Sequence, residues 1–139
     1  MRSEDRGSRS TGTATVRARA PKTRMTRIKE LWDYLDENRS KALISDETAA
    51  MARRIWDDLN AATASSLSVP DACPGLEGDF LYTWDDADHH FEIEIQPGSS
   101  PTLFYLNRKS GETWEGDFEM GSPLPTDVLQ KLQLFTFRP

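Results

Sequence analysis

After two leading helices the apolar residues of this chain switch their spacing from a period near 3.6 to a period of 2, and that switch limits the fold more than any other feature. Ile28, Leu31, Trp32 and Leu35 fall at i, i+3, i+4 and i+7, the spacing of one helix face, with charged residues between them. Thr26 is the expected N-cap, and Asn38 to Lys41 form the exit. A second helix is expected after Ser45, with Asp46 and Glu47 in its first turn, where carboxylates oppose the helix dipole favourably. Its stripe is Met51, Ile55 and Leu59, joined by Ala52 and Trp56, and it runs out near Ala62.

Residues 63–78 read as a linker of Ser, Pro, Gly and Ala anchored by Leu67 and Val69. Beyond it the alternation begins. Phe80, Tyr82 and Trp84 define one strand, and Asp85 to Asp88 a turn. Phe91, Ile93 and Ile95 alternate with His90, Glu92, Glu94 and Gln96, and residues 97–100 (Pro-Gly-Ser-Ser) are turn chemistry. Thr102 to Asn107 is apolar at both parities, as in a central strand covered on both sides. After the Ser110-Gly111 turn, Trp114, Phe118 and Met120 alternate with Glu115, Asp117 and Glu119 in a fourth strand. Thr126 is the expected cap of a short helix through Val128, Leu129 and Leu132.

Connections of only a few residues favour hairpins over parallel crossovers. The expected fold is therefore α+β: an N-terminal helical hairpin packed on a four-stranded antiparallel meander, with a short C-terminal helix. At 139 residues the chain suits one domain. The period of 2 also sorts the side chains. Phe91, Ile93, Ile95, Trp114 and Phe118 should meet Trp32, Ile55, Trp56 and Leu59 of the hairpin. Glu92, Glu94, Glu115, Asp117 and Glu119 should point away and form an acidic sheet face.

Charge divides the chain at a different point, near residue 24. Residues 1–24 hold seven basic and two acidic side chains, a net +5, which leaves ten basic against 21 acidic afterwards, a net −11. Val16 is the only large apolar residue of that first segment after Met1, so it is expected to be a disordered basic tail preceding a domain over 25–139. Met25 is compatible with a downstream translation start; the rival reading is a basic arm that touches phosphate. The acidic body repels nucleic acid and lipid headgroups and attracts basic surfaces.

Chemistry is thinly represented. Asp85, Asp86, Asp88, His89 and His90 combine carboxylate and imidazole, which suits a divalent ion. Neighbouring histidines on a strand point to opposite faces, however, and aspartates are common in turns for backbone reasons, so a solvated turn is the simpler reading. Cys73, the single cysteine, has no nucleophile signature around it and permits no internal disulfide, which fits a reducing, cytoplasmic setting. The glycines form neither a phosphate loop nor a dinucleotide fingerprint, and no serine lies in a hydrolase motif. The apolar run needed for a membrane-spanning helix is absent, as is the apolar core of a secretory signal. No catalytic residue, metal or cofactor is expected.

The segments VPDACPGLEGDFLYTW, HHFEIEIQPG and FYLNRKSGETWEGD, between Val69 and Asp117, resemble a loose group of small bacterial proteins of unknown function. Those have two leading helices, a proline-containing linker and a similar succession of strands. The resemblance implies an accessory or antitoxin-like member of a gene pair. The acidic body, the small size and the missing chemistry set the expected function, which the resemblance fits: a non-catalytic accessory, inhibitor or antitoxin-like subunit that binds a protein with a basic surface through the acidic face or exposed aromatics. The alternative is a nucleic-acid-directed role, either a DNA mimic that fills a basic cleft or a binder that works through residues 1–24.

Overall fold

Thr23, not Thr26, starts the first helix. Its hydroxyl accepts from the Thr26 amide at 3.1 Å, and α1 spans Arg24–Ser40 in the computed structural model, which describes residues 22–137. The expected tail lies almost wholly outside the described residues, but Arg24 belongs to the folded body. Its Nη2 donates to the Leu67 carbonyl at 2.7 Å and to Asn60 Oδ1 at 2.5 Å, and its guanidinium lies over the rings of Trp56 and Phe137. The second helix, α2 (Asp46–Ala62), starts as its sequence dictates: the Ser45 hydroxyl accepts from the Thr48 amide.

The sheet has five strands rather than four. β1 (Asp71–Pro74) lies inside the expected linker and is followed by β2 (Phe80–Asp86), β3 (His89–Ile95), β4 (Thr102–Asn107) and β5 (Thr113–Asp117). Each pairs antiparallel with the next, in the order β1-β2-β3-β4-β5. A short strand containing a proline is typical of a sheet edge, where a missing N–H is tolerated. It also leaves little alternation for sequence to reveal. A third helix, α3 (Thr126–Leu132), and a 3-10 turn (Gln133–Phe135) close the fold. Pro125 rather than Thr126 holds the α3 cap position, without a side-chain bond.

All three helices pack on one face of the sheet. Phe80, Tyr82, Phe91, Ile93 and Ile95 present fully buried side chains to Ile55, Trp56 and Leu59 of α2 and to Leu35 of α1. Such side chains contribute about 1.5–3 kcal/mol each on burial. The Tyr82 hydroxyl donates to the Ala52 carbonyl at 2.7 Å, tying β2 to α2. At the other end Phe135 meets Phe91 and His89, while Val128 and Leu132 complete the core. Trp32 departs from its expected place. It is half-buried on the helix surface, with the Arg53 guanidinium 4.6 Å from its ring. Phe118 is buried as expected, although β5 ends one residue before it.

Candidate functional site

The register of the strands assembles the opposite face of the sheet. Glu92 pairs with Thr83 on one side and Phe104 on the other, and Phe104 pairs with Glu115. The next row joins Leu81, Glu94, Thr102 and Asp117. A third joins Asp85, His90, Leu106 and Thr113. Among the described residues no helix crosses this face. Glu92, Glu94, Glu115 and Asp117 share it, as their spacing predicts. Glu119 lies beyond the end of β5, exposed but outside the strand.

Sequence reasoning missed the apolar part of the face. Phe104 and Leu106 suggested a strand covered on both sides, whereas their side of β4 is open and both are only half-buried. Parity was the available signal, because Phe104 and Leu106 fall on the same side of their strand as Thr102. Between β3, β4 and β5 lies a shallow cleft of about 170 Å³ lined by Glu92, Glu94, Thr102, Leu103, Phe104 and Glu115. An aromatic ring is thus ringed by three carboxylates.

The Asp/His cluster lies mostly within strands rather than in a turn. Asp85 and Asp86 end β2, His89 and His90 begin β3, and only Ala87 and Asp88 form the connection, with Ala87 at a φ of 53°. The two histidines point to opposite faces, as strand geometry requires. His89 turns inward, its Nδ1 2.7 Å from the Tyr105 hydroxyl and its ring stacked on that tyrosine. His90 turns outward with a side chain 13 % exposed, Nδ1 2.8 Å from Asp85 Oδ1 and Nε2 2.6 Å from Glu92 Oε2. Arg108, in the β4–β5 connection, donates from Nη2 to Asp85 Oδ1 at 2.7 Å.

Burial works against a charged His90, but the hydrogen bonds to Glu92 and Asp85, with their charges, outweigh it and hold the imidazole above its ordinary range. The same contact, helped by Arg108, keeps Asp85 below the usual carboxylate range. Arg108 and His90 therefore engage the carboxylates of Asp85 and Glu92 at one end of the face, while Glu94, Glu115 and Asp117 have no salt-bridge partner among the described residues.

Cys73 sits exposed on the same face of β1, opposite Leu81, in a strand rather than a linker. Among the described residues no group of three or more His, Cys, Asp or Glu is arranged to hold a metal ion. No helix among them is long and apolar enough to cross a membrane. No protein-family model matches the chain, nor does any curated protein or solved structure.

Proposed function

We propose that this protein acts by binding rather than by catalysis, as an accessory, inhibitory or antitoxin-like subunit whose open sheet face receives a partner protein with a basic surface. The observation that carries this reading is the position of Phe104 between Glu92 and Glu115, in a cleft that Glu94 also lines. A lysine or arginine suits such a place. Its methylene stem packs on the ring while its cationic head meets the carboxylates. Acidic fields of this kind act mainly on encounter rate and partner choice, with apolar contact adding residence time.

The test is co-purification from the native host, comparing the natural chain with the double variant Glu92→Lys, Glu115→Lys. A stoichiometric basic partner recovered with the former and lost with the latter is the expected result. Monomer alone from the natural chain, or a partner equally retained by the folded variant, would overturn the reading.

A further inference from the structure

β5 is an open edge, and its chemistry selects one kind of neighbour. The Asn107 amide donates to the Glu112 carbonyl at 2.8 Å, which sets the alternation of the β4–β5 ladder. Trp114 and Gly116 therefore turn their backbone groups toward β4, and Thr113, Glu115 and Asp117 turn theirs outward. No hydrogen bond among the described residues reaches those outward groups. The opposite edge differs, because β1 has only four residues, ends in Pro74 and runs beside α1 along a cleft lined by Leu31, Tyr34 and Ala72. β5 contains no proline.

We propose that the basic partner docks by adding one antiparallel strand to β5, with lysine or arginine at alternate positions opposite Glu115 and Asp117 and an apolar residue between them. This deepens the reading of the acidic face and rests on it. Charge decides the occupant. A second copy pairing through its own β5 would set carboxylates against carboxylates, which is destabilising for directly opposed residues. A strand with cations at i and i+2 places each beside a carboxylate on the open face, within reach of the Phe104 cleft.

The residue between the cations turns to the helix side. There the Trp114 ring folds over Gly116 so closely that a Cβ at Gly116 would lie 2.6 Å from it. The indole extends the apolar surface to the margin of the sheet and offers that residue a wall. Backbone bonds supply affinity in this mode, and alternate side chains supply selectivity.

The experiment titrates the full chain, labelled for amide NMR, with the peptide Lys-Val-Lys-Val-Lys-Val-Lys at low ionic strength. Two methylated forms of equal charge, isomers of each other, accompany it, one N-methylated at its last three lysines and one at its three valines. In the proposed register the lysine amides face β5. The parent and the valine-methylated peptides should slow exchange at the Glu115 and Asp117 amides about tenfold, and the lysine-methylated one should bind about tenfold more weakly. Equal binding of the two methylated isomers, with shifts at Glu92 and Glu94 but unchanged exchange at Glu115, would overturn strand addition and leave the acidic-face reading standing. No response at any of these residues to any peptide would overturn both.

Discussion

His90 bridges two carboxylates of neighbouring strands, with Nε2 2.6 Å from Glu92 and Nδ1 2.8 Å from Asp85. The charged groups facing it are those two and Arg108, whose Nη2 lies 3.1 Å from Nδ1, while its other cross-strand neighbour, Leu106, is apolar. Because the folded protein holds the imidazole above its ordinary pKa, the charged form is favoured by folding. That contribution is complete below the ordinary histidine value and is lost as pH rises through the raised one.

The melting temperature of the natural chain should therefore exceed that of His90→Gln most below the ordinary histidine value and converge with it as pH rises through the raised one. The difference should stay on the order of 1 kcal/mol, since both carboxylates are open to water. A basic partner should respond in the opposite sense, gaining affinity as His90 loses its proton and frees Glu92. Calorimetric melts and binding isotherms across that range check both.

Tyr82 offers a cleaner measure of the joint between sheet and helices. Its hydroxyl, buried and held neutral, donates to the Ala52 carbonyl at 2.7 Å. That carbonyl also lies within the regular hydrogen bonding of α2, so Tyr82→Phe does not leave it unpaired. The expected loss is about 1 kcal/mol in chemical denaturation, with no change in the slope of the transition.

Ala87 sits in the two-residue connection of β2 and β3 with a φ of 53°, a region that costs a residue with a Cβ roughly 1 kcal/mol. Ala87→Gly should recover part of that cost, less the added freedom of glycine in the unfolded chain. A rise of a few tenths to about 1 kcal/mol is expected, read from denaturation midpoints. Unchanged or lower stability would mean that the turn tolerates the alanine by relaxing elsewhere.

What was legible in the sequence follows from periodicity and capping. The α2 boundaries, the β4 boundaries and the inward and outward assignment of β3 all rest on uninterrupted patterns, so they emerge at the right residues. β1 does not, because four residues that include a cysteine and a proline have no pattern to read. Thr23 escaped because it precedes the first apolar residue of the stripe by five positions. The carboxylates of the open face were readable from parity. Phe104 was readable in type but not in setting, since a buried and a half-open aromatic look alike until the covering layer is known. The pairing of Arg108 with Asp85 joins residues far apart in sequence and needed the register of three strands.

The inside and outside of the sheet are tested most directly on β3, where adjacent residues have opposite fates. Ile93 is fully buried against the helices, and Glu94, its neighbour, lies on the open face opposite Thr102. Ile93→Asp places a carboxylate in a site without a partner, at a cost of several kcal/mol, comparable with the whole stability of a small domain. Circular dichroism should show an unfolded chain. Glu94→Lys changes only the open face, so the fold should persist with stability altered by less than about 0.5 kcal/mol. Its affinity for a basic partner should fall, and the fall should shrink as added salt screens the charges. A folded Ile93→Asp protein would reverse the assignment of faces. Unchanged binding by a folded Glu94→Lys protein, repeated with Glu115→Lys and Asp117→Lys, would remove the acidic face from the partner's footprint.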